Sequence, residues 1–257
     1  MKFRNLLAGL AAVTASMFVA SCKVPGNVSY FQDDTALVAN IQKTPLKLQP
    51  GNKVKIRVKS KDDVVNTLFN VVEGNNEPVS YTVSEEGTID FPILGNVMIG
   101  GMTRDEVAGY IKGELAARQL VKNPSVIVDF DNVGVSVLGE VTTPGPVEIK
   151  GNTLTLLEAL SAAGDLTLNG RRDNVKVIRE ENGQYRTYTV NLMNLKETAS
   201  SPVFSLRDRD VIYVEPNDLR KRQTTVNGNN VYNAGFWISV ASLCATLATT
   251  VGVYVNK

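Results

Sequence analysis

The stretch Leu48-Gln49-Pro50-Gly51-Asn52-Lys53-Val54-Lys55-Ile56-Arg57-Val58 decides the fold. Pro50-Gly51-Asn52 is a turn: proline presets one corner, while glycine and asparagine tolerate positive φ. Val54 to Val58 then alternates apolar with basic residues, as a half-buried strand does. The same grammar continues downstream. Glu73 to Pro78 reads as a polar loop, Val79 to Val83 alternates again, and Glu85-Glu86-Gly87 turns the chain into Thr88 to Leu94. Thr103-Arg104-Asp105-Glu106 is a capping box that starts a helix. Val107, Tyr110, Ile111 and Leu115 give that helix an apolar face, and it should end near Leu120. Asn123-Pro124 closes the connection before a strand from Ser125 to Phe130.

A second unit follows. Val135 to Leu138 is a strand, Thr143-Pro144-Gly145-Pro146 a turn, and Val147-Glu148-Ile149 the return. Thr155-Leu156-Leu157-Glu158 is another capping box, and Gly164 stands where a left-handed residue ends the helix. Arg172-Asp173-Asn174 reads as a turn before the strand Val175 to Arg179, which pairs with Tyr185 to Leu192. Leu206-Arg207-Asp208-Arg209-Asp210 is a turn, and Val211 to Val214 is the last strand before Pro216. The fold class is therefore α+β. A β-rich first domain covers 46–131, a second covers 132–216, and a polar linker covers 217–233.

Both ends carry membrane signals. Lys2 and Arg4 followed by the short apolar run Leu6 to Val19 form a signal peptide over 1–21. Val19-Ala20-Ser21-Cys22 matches a bacterial lipobox, which makes Cys22 the lipidation site and 22–45 a lipidated tether. Buried acyl chains suffice for anchoring, at about 0.8 kcal/mol per CH₂. At the other end, Ala234 to Val255 is a run of 22 residues without a charge. As a helix it would be roughly 33 Å long, which predicts a transmembrane span over 234–255.

That run has two faces. Gly235, Ser239, Ser242, Thr246, Thr249 and Thr250 share one side. Phe236, Trp237, Val240, Leu243, Leu247, Val251 and Tyr254 share the other, which would face lipid. The hydroxyl stripe has two readings: helix–helix packing, or a water-facing pore lining in a ring of identical helices.

Composition narrows the chemistry. The chain of 257 residues has no His, two Cys and a net charge of +1. Without imidazole there is no Ser-His-Asp or Cys-His nucleophile, and the commonest metal ligand is missing, so neither a metal site nor a cofactor is expected. Near-zero charge offers no field for nucleic acid. With Cys22 lipidated, Cys244 is alone and no intramolecular disulfide is possible. Two carboxylate pairs, Glu85/Glu86 and Asp208/Asp210, could in principle hydrolyse a glycoside. Both sit in turns and read as solvated charge, so no catalytic residue is assigned and the chain is not read as an enzyme.

The first unit resembles the polysaccharide biosynthesis/export domain. The residues that carry the resemblance are Leu48 to Val54, Tyr81-Thr82-Val83 to Gly87-Thr88-Ile89, Pro92-Ile93-Leu94-Gly95, Gly101-Met102-Thr103 to Glu106 and Asn123-Pro124-Ser125-Val126. The second unit resembles the soluble-ligand-binding β-grasp (SLBB) domain through Val137-Leu138-Gly139-Glu140-Val141, Pro144-Gly145, Thr155 to Leu160 and Ala163-Gly164. Asn52 and Arg209 depart from the pattern, since the family usually has Asp and Gly there. A single β-grasp unit is present, whereas Wza-type exporters have more.

The resemblance implies an outer-membrane lipoprotein that forms a homo-oligomeric ring. C-terminal helices would build an α-helical barrel through the lipid bilayer. Capsular polysaccharide or exopolysaccharide would pass through the ring, supplied by an inner-membrane polysaccharide co-polymerase, with the export and SLBB domains in the periplasm. Lys23 after the lipidated Cys favours the outer membrane. The rival reading is a monomeric glycan-binding lipoprotein whose tail helix serves for packing. A glycan-modifying enzyme is a distant third.

Overall fold

Lys53–Lys59 forms the first strand, β1, with Val54, Ile56 and Val58 buried and the charged residues between them at the other face. In the computed structural model, the described residues are 29–33, 41, 43–73, 77–224 and 234–255. The signal peptide over 1–21, Cys22 and most of the tether lie outside them.

After β1 come a short helix α1 (Asp63–Phe69), a small hairpin of β2 (Val72–Glu73) and β3 (Glu77–Pro78), and β4 (Ser80–Thr82). A second hairpin joins β5 (Thr88–Phe91) to β6 (Gly95–Met98). The helix α2 (Arg104–Ala117) starts on Thr103 with both halves of the capping box formed. It buries Val107, Ile111 and Leu115, while Tyr110, expected on that face, is exposed. Then β7 (Ser125–Phe130) completes a three-stranded antiparallel sheet in the order β4-β1-β7. The core of this domain lies between that sheet, α2 and the β5–β6 hairpin.

The second domain opens with β8 (Gly134–Gly139) and β9 (Gly145–Glu148), followed by α3 (Leu156–Ala162), again on a complete capping box. Gly164 ends α3 in the left-handed region at φ 76°, as expected. A long strand β10 (Gly170–Glu181) hairpins into β11 (Gln184–Val190). A helix α4 (Leu195–Ser200), the strand β12 (Val211–Pro216) and a helix α5 (Asp218–Gln223) follow. The five strands lie in the order β11-β10-β12-β8-β9, with β12 parallel to β8 and the other pairs antiparallel. Arg172-Asp173-Asn174, read as a turn, instead lies within β10, where the register with β12 shifts between Gly170 and Val175.

The two cores share one crossing segment. Leu46 is buried in the second core and Leu48, two residues on, in the first. The Leu46 amide donates to Asn152 O at 2.7 Å and the Leu48 amide to Met102 O at 2.9 Å. Phe130 packs against both cores.

The last helix, α6 (Ala234–Val255), forms with the expected bounds. Its reading as a transmembrane helix is overturned: among the described residues, no helix is long and apolar enough to cross a membrane. Gly235, Ser239, Ser242, Thr246, Thr249 and Thr250 lie along it and dilute its apolar surface. The fold is α+β with a C-terminal helix, without a supported membrane span.

Acid sensitivity follows from ion pairs on this frame. Lys55 and Ser80 hold the Asp131 carboxyl below its ordinary value of 3.8, and Arg171 does the same for Asp173. Lys176 holds Glu215, and Lys43 holds Glu158, below the ordinary 4.5. Their folded values are depressed, so their stabilisation is complete above the ordinary carboxylate range and lost as pH falls through the lower folded values. Thermal melting should therefore be nearly flat from pH 7 to 5 and fall steeply below pH 4. A melting temperature unchanged at pH 3 would contradict these assignments.

Candidate functional site: the cleft between the two domains

A cleft of about 390 Å³ opens where the crossing segment meets the turn 206–210, with Lys47, Gln49, Arg179, Ser205, Arg207 and Asp208 among its lining residues. A second hollow of about 270 Å³ shares Gln49, Arg179, Arg207 and Asp208 and adds Asn182 and Arg209. Lys47, Arg207 and Arg209 are exposed and give this region a cationic rim.

The carboxylates beneath are buried. Asp210 is 1% exposed and takes Arg179 on two oxygens, Nε to Oδ1 at 2.9 Å and Nη2 to Oδ2 at 2.6 Å. Arg179, 2% exposed, also donates from Nη1 to Pro202 O and from Nη2 to Ser205 O. Asp210 also accepts the Arg207 amide at 2.8 Å. Asp208 Oδ1 accepts the Gly134 amide at 2.9 Å, and Asp208 Oδ2 accepts from Asn52 Nδ2 at 2.7 Å. The expectation that Asp208 and Asp210 are solvated turn charges is thus corrected. Turn residues carry no burial signal of their own; here Asp208 meets Asn52 of the first domain and Asp210 meets Arg179 of β10. Both carboxylates are engaged in holding the turn, which leaves them no arrangement for acid–base work on a glycoside. Glu85 and Glu86, by contrast, are exposed as expected.

The two departures from the sequence pattern meet at this point. Asn52 is 1% exposed; its Oδ1 accepts the Gln49 amide at 2.8 Å while its amide nitrogen reaches Asp208 across the junction. Arg209, at φ 64°, donates from Nη2 to Pro50 O at 3.2 Å and places Nε 3.5 Å from Asp208 Oδ2. An aspartate at position 52 would face Asp208 at hydrogen-bond distance, so the amide is what allows this contact. Asn52→Asp should destabilise the protein by about 1–3 kcal/mol at pH 7, because one of two touching carboxylates must hold a proton. The new carboxyl's folded pKa would be raised, so the penalty grows as pH rises above its unfolded value near 4. Melting curves of variant and parent should converge toward pH 4, and Asp208→Asn in the variant should restore most of the loss. A variant as stable as the parent at pH 7 would refute the contact's role.

The helix α6 carries the other predicted residues. Ser239, Ser242, Thr246, Thr249 and Thr250 are exposed, as are Gly235, Phe236, Trp237, Leu243 and Leu247. Val240 is partly buried, and the side chains of Val251 and Tyr254 lie outside the described residues. Four hydroxyls donate within their own helix: Ser239 to Gly235 O, Thr246 to Ser242 O, and Thr249 and Thr250 to Thr246 O. They keep acceptor lone pairs for an outside donor, while their protons are committed to the backbone.

Sequence reasoning missed Arg172, Arg179, Tyr30 and Asp165. A charged residue within an alternating strand gives no sign of burial, and Tyr30 lies in a segment read as irregular tether. Among the described residues, no group of three or more His, Cys, Asp or Glu is placed to hold a metal ion.

Comparison with known proteins sorts these observations. Residues 41–131 match the family described as polysaccharide biosynthesis/export protein, and residues 134–214 match the SLBB domain. The chain is 33% identical over 146 residues to the EPS I polysaccharide export outer membrane protein EpsA of Ralstonia nicotianae, which is 55% of this chain and 37% of that protein. It is 31% identical over 146 residues to the protein of the same name from Ralstonia solanacearum, with the same shares covered. The chain thus aligns with little more than a third of the length of these relatives. The cleft with its buried Asp208 lies at the seam between two recognised modules: this chain carries a polysaccharide biosynthesis/export domain joined to one SLBB domain.

Proposed function

We propose that this protein takes part in polysaccharide export at the bacterial outer membrane. The observation that carries the reading is the tandem of an export domain and an SLBB domain, shared in part with relatives named as outer-membrane polysaccharide export proteins. The protein is held at the outer membrane by lipid on Cys22, with both domains in the periplasm. Copies associate as a closed ring through heterologous contacts and form a conduit for capsular polysaccharide or exopolysaccharide. An inner-membrane polysaccharide co-polymerase supplies the polymer and the energy, and no catalysis is assigned to this chain. In the ring, the face of α6 with Gly235, Ser239, Ser242, Thr246, Thr249 and Thr250 turns toward hydrated polymer, offering acceptors without a fixed charge. The apolar face with Phe236, Trp237, Val240, Leu243 and Leu247 turns toward apolar neighbours.

Deletion of the gene should abolish surface polymer while leaving polymer synthesis detectable inside the cell. Detergent-extracted protein should appear as rings by electron microscopy. Ser242→Glu should impair export in rings that still assemble, whereas Leu247→Glu should prevent assembly. Unchanged surface polymer on deletion would overturn the export reading. A strictly monomeric mass would overturn the conduit and leave a glycan-binding lipoprotein.

A further inference from the structure

Two arginines are buried in the SLBB domain, and their surroundings differ. Arg179 has Asp210 on two nitrogens. Arg172, 4% exposed, donates to backbone carbonyls at long range: Nη1 to Thr167 O and Gly170 O at 3.4 and 3.3 Å, and Nη2 to Leu166 O at 3.4 Å. Its Nε has no hydrogen-bond partner among the described residues. Among the described residues this buried cation is held by long bonds to neutral acceptors, a costly arrangement for a fold to keep.

What covers Arg172 is Tyr30. Its ring centroid lies 4.9 Å from the guanidinium carbon, and its hydroxyl donates to Asp165 Oδ1. The ring face offsets part of the cation's desolvation. Burial, and then the hydrogen bond to Asp165, push the Tyr30 phenol up, so it remains a neutral donor near neutral pH. Tyr30 belongs to the short segment 29–33, which reaches this domain from the N-terminal side. The Phe31 amide donates to Leu192 O at 3.2 Å and the Gln32 amide to Met193 O at 2.7 Å. Asp33 accepts from the Leu195 and Lys196 amides. The covering group is therefore a ring with one hydroxyl, stacked on a guanidinium and bonded to a carboxylate, and it carries no negative charge for Arg172.

We propose that Arg172 and Asp165 form a binding site for an acidic sugar, a hexuronate unit of a glycan, and that Tyr30 plugs this site in the present structure. The proposal rests on the polysaccharide reading above and names a substrate class for it. A pyranose ring takes the place of the phenol ring, and a sugar hydroxyl donates to Asp165 as the Tyr30 hydroxyl does. The sugar carboxylate gives Arg172 an anion and its Nε an acceptor, neither of which the described residues supply. The plug is a short segment tied by two backbone bonds, one side-chain ring and one carboxylate, so its displacement leaves the SLBB sheet intact.

The test is calorimetric titration of the detergent-solubilised full-length protein with trigalacturonic acid, with neutral maltotriose as the control. A seated plug lowers apparent affinity by the fraction of open sites, so Tyr30→Ala should bind trigalacturonic acid about tenfold tighter than the parent. Adding Arg172→Met should remove that binding. Adding Asp165→Asn, a milder change that spares the buried cation, should weaken it. Melting curves by circular dichroism establish that each variant is folded. No gain from Tyr30→Ala, equal binding of maltotriose, or binding indifferent to both second substitutions would overturn the site. Binding of a peptide with the sequence of residues 29–33 to Tyr30→Ala, without trigalacturonic acid binding, would also overturn it and make the groove a seat for the arm of another copy. Loss of surface polymer on gene deletion without trigalacturonic acid binding overturns this site and keeps the export reading. The reverse pair of results keeps the site and removes the export reading.

Discussion

Arg179→Met is expected to lower stability by about 3–5 kcal/mol, because it leaves the Asp210 carboxylate buried and uncompensated. The side chains of the pair are 3% and 1% exposed, so solvent cannot replace the lost partner. The same substitution removes the donors that Pro202 O and Ser205 O now use, and so loosens the wall of the junction cleft. At about 2–4 °C per kcal/mol for a protein of this size, the melting temperature should fall by roughly 10 °C or more. Asp210→Asn placed in the Arg179→Met background should recover part of the loss, since a neutral amide costs less to bury than an unpaired carboxylate. The neutral side chain can still accept the Arg207 amide. Denaturant unfolding of the two single variants and the double variant measures this. A loss below about 1 kcal/mol, the size of a surface pair, would mean that Arg179 is not the counter-ion it looks to be.

Gly139→Ala should disrupt the SLBB domain. Gly139 sits at φ 94°, and an added Cβ would lie 2.1 Å from Val214 O. That carbonyl is backbone of β12, which pairs with β8 in parallel and has Val214 opposite Gly139. It also accepts the Glu140 amide at 3.0 Å. The clash cannot be relieved by a side-chain rotation, so the strand pair has to part at that end. The expected cost exceeds about 4 kcal/mol, in the range where single substitutions abolish folding at physiological temperature. Gly183→Ala is the matched control: φ is also positive there, at 75°, but nothing lies within 4 Å of the added Cβ. It should cost about 1–2 kcal/mol, the price of the left-handed conformation alone. Expression level and melting temperature of the two variants separate steric clash from backbone preference. Similar losses in both would remove close approach as the reason for glycine at 139.

Much of this fold is legible in local pattern. Alternation placed β1 and β7, and both capping boxes formed as the Thr-x-x-Glu spacing requires. Gly164 took the left-handed conformation its residue type favours. These features depend on neighbours within a few residues, which a linear reading contains. The misses share the opposite cause. Tyr110 has helical spacing suited to the core, yet the face of α2 that packs is set by where β7 lies. Arg172-Asp173-Asn174 has turn composition, yet pairing with β12 draws it into β10.

The candidate site was hidden for the same reason. Lys47 and Arg207 lie 160 positions apart in the chain, and only closure of the two domains brings them to one cleft. The helix α6 marks the limit of hydropathy as an argument. An uncharged run predicted its bounds correctly, but absence of charge is a weaker condition than the continuous apolar surface a bilayer demands.

The sequence by itself determined most strands, both capping boxes and the end of α3, because propensity, capping and alternation act over short range; the two domain types were legible as a resemblance carried by their motifs. The tertiary structure alone decided burial and partnership. It turned Asp208 from a surface charge into a buried tie across the junction and Asp210 into the buried partner of Arg179, made Asn52 and Arg209 contacts of one carboxylate, and set Tyr30 over a buried Arg172. Those outcomes depend on which distant groups meet once water is excluded. Charge and hydrogen-bond energies are large there, and a residue's type no longer reveals its surroundings.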